Sequence, residues 1–283
     1  PKSRCCGDVV VTQQWLSGLM RRAEFRKVRH GAGADYYATE AAGLQWLTVD
    51  GGPPIPHTYS VGAAALVLER IVEANATNAA ADSFGQALAT MHASGAPAFG
   101  AGPPDAPATG WIADVPMPFG DFDSFGQMYA QLRIRPYVKL CREAELFDTH
   151  AYAVFEALCE RLASDDEGLV GPAEPVARLH GDLWSGNLLW APDRAGNDSV
   201  WLIDPAAHGG HRETDLAMLA LFGTPLIERI MASYAEVAPL ADGWQQRVPL
   251  HQVYPLLIHA ILFGGGYPGQ ALRAAERALA AAN

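Results

Sequence analysis

Between residues 179 and 190 the chain reads LHGDLWSGNLLW, and oxygen-bearing side chains recur there at a spacing that chemistry can use. Asp182 stands in a short polar loop. Asn187 follows five residues later at the start of an apolar run, and Asp204 closes the next apolar run, WLIDP, 22 residues after Asp182. Residues 188–190 and 200–203 read as two strands around the polar turn APDRAGNDS, a hairpin that carries Asn187 and Asp204 to one open end. An amide oxygen and a carboxylate there are hard ligands suited to Mg²⁺, which takes few protein groups and leaves room for phosphates. Asp182 beside such an ion suits a base that orients a hydroxyl nucleophile. Taken singly, Asp182 and Asn187 are equally well read as turn residues; their spacing singles them out.

The order HxD, Asn five residues on, and then an Asp ending a later strand resembles the catalytic loop and metal-binding Asp of protein kinases. Gly181 replaces the Arg, and Asp-Pro replaces Asp-Phe-Gly. HGD with a downstream IDP resembles the small-molecule kinases, such as aminoglycoside phosphotransferases and choline kinases. That resemblance implies a front-lobe lysine paired to a helix glutamate, and the chain has only Lys2, Lys27 and Lys139. Lys2 is terminal and Lys139 falls in a helical stretch. Lys27 lies in FRKV, which alternates like a strand, and Glu40 follows 13 residues later inside a helical pattern. An ammonium held by Glu40 could hold the α- and β-phosphates of ATP. In isolation the two read as a solvated strand lysine and a surface helix acid. LVLERIVE fits the strand that leaves the front lobe, with backbone groups of Glu69, Arg70 and Ile71 meeting the adenine.

The elements around these residues divide in character. VVVT (9–12) and FRKV (25–28) read as strands, and 34–49 as a helix with Asp35 at its start, where the dipole favours an anion. GGPPIP (51–56) breaks the chain, and the run 63–69 has strand length. Residues 83–92 form an amphipathic helical pattern, and the Pro- and Gly-rich stretch 94–122 reads as a long ordered loop. Helical spacing covers 124–147 and 150–163, ends at DDEG, and resumes from 214, interrupted by FGGGYPG. The expectation is α+β with two lobes: residues 1–70 as a small antiparallel-sheet, nucleotide-binding lobe, and 71–283 as a larger, mainly helical lobe with one hairpin inside it. A phosphate-covering loop belongs in 7–26, yet only Gly7 and Gly18 are available and no GxGxxG occurs.

Composition bounds the partners. The chain has 283 residues, 49% hydrophobic and 18% charged, enough to bury a core and unlike a disordered or fibrous chain. Net charge is −11, which argues against nucleic-acid or anionic-membrane binding, where clustered cations release counterions. No apolar run reaches the ~18 residues a membrane span needs. No secretory signal is visible, and Cys5, Cys6, Cys141 and Cys159 form no CxxC pair, so the expectation is reduced thiols and a cytoplasmic location. Oligomeric state leaves no trace in the sequence.

HGDLWSGN resembles the signature loop of the fructosamine kinase (ketosamine-3-kinase) family. EAAGLQWL (40–47), FGQALATMHA (84–93), RIRPYV (133–138), IDPAAHGGHRETDLAMLALFG (203–223) and YPLLIHAILFGGGY (254–267) are similar to further family segments, in order. The resemblance implies ATP- and Mg²⁺-dependent phosphorylation of the 3-hydroxyl of a ketosamine, small or protein-bound, as a deglycation step. The alternative is an aminoglycoside or choline-like amino-alcohol phosphotransferase, which would use the same catalytic residues. Trp184 could stack on the sugar or meet the cationic amine, with core packing as the alternative. His180 and Asp215 are expected to brace the loop, and Trp111, Arg133 and His259 are weaker candidates for substrate contacts. Asp182 is expected to be ionised, with an ordinary pKa near ~3.9.

Overall fold

The computed structural model describes residues 24–29 and 31–282. The expected strand at 9–12 and nearly all of 7–26 lie outside them. β1 (Glu24–Lys27) pairs antiparallel with β3 (Leu66–Glu69), which pairs on its other side with β2 (Thr58–Val61). Period-two alternation turns Leu66 and Leu68 of β3 inward. Between β1 and β2 runs α1 (Ala34–Leu47), whose buried stripe includes Tyr37, Glu40, Leu44 and Leu47 at helical spacing. β2 was not anticipated. All four of its residues are exposed, so no apolar alternation marks it, and the strand expected over 63–69 is confined to Leu66–Glu69.

The helical body begins at α2 (Asn78–Ala93), earlier than the apolar pattern implied, because the Thr77 side chain caps it by accepting the Ala80 N–H at 3.1 Å. The stretch 94–122 is not only loop. It contains a hairpin of β4 (Thr109–Ile112) and β5 (Val115–Pro118), in which Ile112 faces Val115. Pro116 and Pro118 disguised β5, but a two-stranded ribbon has free edges that tolerate proline.

The helix expected over 124–147 is three pieces: α3 (Phe125–Met128), a π-helical turn over Tyr129–Ile134, and α4 (Arg135–Glu143). Pro136 supplies a reason, since it has no N–H to return to the Leu132 carbonyl. The Arg133 Nη1 donates there instead at 3.3 Å, and to the Pro118 carbonyl at 2.9 Å.

α5 (Thr149–Ala163) and α6 (Glu167–Val170) lead to two small sheets. β6 (Ala177–Leu179) pairs with β9 (His208–Gly210), and β7 (Leu188–Trp190) with β8 (Val200–Leu202). The second pair is the anticipated hairpin; the first, three residues a side, was too short to read. α7 (Glu213–Leu221), α8 (Ile227–Val237), α9 (Trp244–Phe263) and α10 (Tyr267–Ala281) complete the body. Pro255 inside α9 likewise leaves the His251 carbonyl open, and the Tyr129 hydroxyl donates to it at 3.2 Å.

Two apolar clusters result. One joins the π turn, α5, α9 and α10. The other runs from Leu44 and Leu47 on α1 and Leu66 and Leu68 on β3, through Phe84 and Leu88 on α2, to Leu202, Leu216 and Ile230. The front sheet and its helix therefore share a core with the body, across residue 70. Among the described residues no helix is long and apolar enough to cross a membrane.

Candidate active site

β6 delivers the chain to His180 and a tight turn at Gly181, where φ is 80°. A Cβ at Gly181 would fall 2.1 Å from the Ala206 carbonyl oxygen, so the loop has no room for a side chain there. Asp215, in the first turn of α7 and fully buried, accepts the backbone N–H groups of His180 at 2.7 Å and Gly181 at 2.9 Å. It also receives His92 Nε2 at 3.2 Å, while His92 Nδ1 meets the Tyr234 hydroxyl at 2.8 Å. His180 donates from Nε2 to the Ile203 carbonyl at 2.9 Å and accepts the Asp182 N–H on Nδ1 at 3.2 Å. Burial holds its pKa below the ordinary value, consistent with that neutral tautomer.

Asp182, Asn187 and Asp204 converge. Asn187 Nδ2 donates to the Asp182 carbonyl at 2.8 Å and to Asp182 Oδ2 at 2.9 Å. Asp204 sits at φ 55°, a left-handed conformation unusual for a side-chain-bearing residue, of the kind held only where surroundings enforce it. Lys27 Nζ lies between Glu40 Oε2 at 2.7 Å and Asp204 Oδ1 at 2.8 Å. Burial alone would depress the Lys27 pKa, but the two carboxylates outweigh it and hold the ammonium charged. Asp182 departs from its expected ordinary pKa: burial pushes it up to about 7, with like charge on Asp204 and Asp215 adding to burial and Asn187 and Lys27 opposing it.

The Asn187 amide nitrogen is committed to Asp182, which turns its oxygen away as an acceptor. With the Asp204 carboxylate, whose side chain is 42% exposed, this gives a hard-oxygen donor set of the kind Mg²⁺ takes. A second group of potential ligands, His211, Glu213 and His251, is already filled. Arg247 holds both Glu213 oxygens, at 2.6 and 2.9 Å, and its positive charge opposes a cation there.

The segment expected to meet adenine is placed less simply. The Glu69 N–H donates to the His57 carbonyl at 2.7 Å, and its side chain accepts the His57 N–H and pairs with Arg194. That amide is therefore occupied. The backbone N–H groups of Arg70 and Ile71 bond to no described residue.

The fructosamine kinase family model matches residues 6–281. The chain belongs to the fructosamine kinase family. Probable ketoamine kinase YniA of Escherichia coli (strain K12) is 32% identical over 250 residues, spanning 87% of this chain and 81% of that protein. A crystal structure described as a candidate fructosamine-3-kinase from Thermobifida fusca YX-ER1 superposes with a TM-score of 0.81 at 39% identity, over 91% of this chain and 85% of that one. Choline kinase LicA from Streptococcus pneumoniae, at 16% identity and TM-score 0.54, shares the fold over 94% of this chain and 92% of its own. The fold is thus the protein-kinase-like, two-lobe α+β arrangement, and the protein is a kinase.

Beside the 180–187 loop of this fructosamine kinase family member lies an aromatic wall. Trp184 meets Phe222 edge-on at 6.2 Å, Phe222 faces His259 at 4.6 Å, and His259 faces Tyr267 at 5.0 Å. His259 Nδ1 donates to the Pro255 carbonyl at 2.7 Å, which leaves Nε2 as an acceptor. Trp184 is only partly buried, so it is not a core residue alone. Trp111 stands elsewhere, 6.2 Å from Tyr36 on α1, and Arg133 is wholly buried under the β4–β5 hairpin. The sequence reading missed His92, Tyr234 and Phe222. A buried histidine on the apolar face of α2 was the one available signal for the first.

Proposed function

We propose that the protein transfers the γ-phosphoryl group of ATP to the 3-hydroxyl of a ketosamine sugar, free or protein-bound. The observation that supports it most is the convergence of Asp182, Asn187, Asp204 and the Lys27–Glu40 pair, with Trp184 two residues beyond the base. In this reading residues 1–70 hold the nucleotide and 71–283 supply the catalytic loop and the acceptor wall. Lys27, kept charged and steered by Glu40, holds the α- and β-phosphates. The amides of Arg70 and Ile71, beside the occupied Glu69, face the adenine.

Asp182 orients the acceptor hydroxyl and takes its proton as the oxygen–phosphorus bond forms and the bond to ADP breaks. A carboxyl poised near neutrality accepts that proton more readily than an ordinary aspartate. Asn187 and Asp204 would hold Mg²⁺, which when bound supplies charge neutralisation on the phosphates. His180 and Asp215 keep the loop in shape. Trp184, with Phe222 and His259, offers a stacking face for the sugar. The product carries phosphate, a far better leaving group than hydroxide, so the adduct can break down to the free amine, a deglycation.

Asp182→Asn is expected to lower turnover roughly 10²–10⁴-fold while Mg-ATP still binds. Turnover on a ketosamine-modified lysine and on fructosyl- and ribulosyl-amines, set against an aminoglycoside and choline, checks the acceptor. Preference for either of the last two would overturn the ketosamine reading and leave the phosphoryl-transfer site intact.

A further inference from the structure

The β4–β5 hairpin belongs by packing to the body. Ile112, Val115 and Met117 are buried in the cluster that contains α5 and α9, and the Tyr137 hydroxyl donates to the Pro116 carbonyl at 2.9 Å. It also reaches the front helix and the segment that leads into it. The Thr39 hydroxyl lies 3.4 Å from the Thr109 carbonyl, Trp111 lies against Tyr36, and Asp114 at the hairpin tip pairs with Arg29. Arg29 follows Lys27 by two residues. It donates from Nη1 to the Tyr36 hydroxyl at 2.6 Å, and its N–H donates to the Tyr37 hydroxyl at 2.8 Å. Tyr36 is one helical turn before Glu40, and its ring centre is 6.0 Å from Lys27 Nζ.

A donor and an acceptor also lie buried without partners among the described residues on these two elements: Trp111 Nε1 and Glu40 Oε1. The hairpin thus touches both ends of the segment that carries the Lys27–Glu40 pair. We infer that the β4–β5 hairpin is a clasp from the body onto α1, with Trp111 and Asp114 as positioning residues that hold Glu40 against Lys27. A helix that swings away takes Glu40 with it, and Lys27 then loses the partner that aims it at the phosphates. The clasp acts on nucleotide affinity and leaves the acceptor side, around Trp184, untouched.

This inference rests on the phosphate-holding role proposed for Lys27, so the test includes Lys27→Ala. Steady-state kinetics with varied ATP and varied ketosamine, together with thermal midpoints, are measured on the full chain. An exposed ion pair contributes little, so Asp114→Ala is expected to raise the KM for ATP about two- to five-fold. An aromatic contact contributes more, so Trp111→Ala is expected to raise it up to about ten-fold. The acceptor KM stays at the wild-type value in both, Asp114→Glu restores the ATP KM, and Asp114→Ala adds nothing to an Arg29→Ala background. Asp114 is at the surface, so its variant reads the clasp even if Trp111→Ala lowers the thermal midpoint. A wild-type ATP KM in Asp114→Ala, or a rise confined to the acceptor KM, overturns the clasp. Undiminished ATP affinity in Lys27→Ala overturns the lysine's role and the clasp with it, whereas loss in Lys27→Ala alone overturns the clasp only.

Discussion

The loop of residues 180–187 and the front sheet are held in opposite ways. At the loop, His180 and Gly181 give their N–H groups to Asp215, the Asp182 N–H goes to His180, and the Asn187 side chain closes onto Asp182. In the front sheet β2 is exposed along its whole length, and β1 owes its lysine's orientation to α1 and to Asp204, 177 residues away. The loop is specified by neighbours that admit one conformation. The lysine site is assembled from separate elements, and its geometry depends on how those elements are held together.

Gly181→Ala should have the largest effect. The new Cβ meets the Ala206 carbonyl at 2.1 Å, and the φ of 80° disfavours any side chain. Strain and overpacking together predict a loss of about 3–5 kcal/mol in urea unfolding, with turnover falling alongside. A variant with the wild-type midpoint would mean that the loop is as adaptable as the front sheet. Asp215→Ala comes next. It strands two buried N–H groups and His92, and about 2–4 kcal/mol should be lost. His92→Ala in that background should add much less than it does alone, because both act on the same loop.

This contrast also explains what the sequence disclosed. HxDxxxxN was legible because its residues interact within one turn of chain, where spacing is geometry. Lys27 was legible only because the chain has three lysines. The engagement of the Glu69 amide by His57 could not be read, because that pairing sits beside the unanticipated strand β2. Prolines at 116, 118 and 136 concealed a hairpin and a π turn: the first two stand on a ribbon whose free edges tolerate them, and the Leu132 carbonyl that Pro136 leaves open is met by the Arg133 side chain, which no apolar pattern signals. His92 escaped notice because a single histidine on a helix face is no signal until Asp215 stands opposite.

Acid should separate the two regions at an intermediate scale. Burial pushes His208 down to about 3 and His211 down to about 4, and both lie in the body. Their ordinary value is 6.5, so between that pH and their folded values the unfolded chain binds protons that the folded chain refuses. The contribution of these two histidines is therefore full above about pH 6.5 and falls as the pH drops, by about 2 kcal/mol from each at pH 5. Asp182, pushed up to about 7, holds a proton in the folded chain over the same range and opposes them. Urea midpoints at pH 7.5 and 5 measure the slope, and His208→Gln should shift it by about 2 kcal/mol in favour of the acid side. An unchanged slope would mean that His208 already titrates in the folded protein.

The smallest effect is expected on β2. Tyr59 is 50% exposed, and among the described residues its strand pairs only with β3. Threonine keeps the β preference and removes a ring that touches little of the described structure, so Tyr59→Thr should change stability by no more than about 0.5 kcal/mol. The KM for ATP should also stay at the wild-type value, because the strand bearing Lys27 lies on the far side of β3. Both quantities come from one preparation, by urea unfolding and by kinetics with varied ATP. A loss beyond about 1 kcal/mol would exceed what an exposed strand residue contributes and would require that Tyr59 be covered by residues outside those described. A raised KM with unchanged stability would point instead to a mechanical link through β3 to Lys27, and the front sheet would then be as tightly specified as the loop it serves.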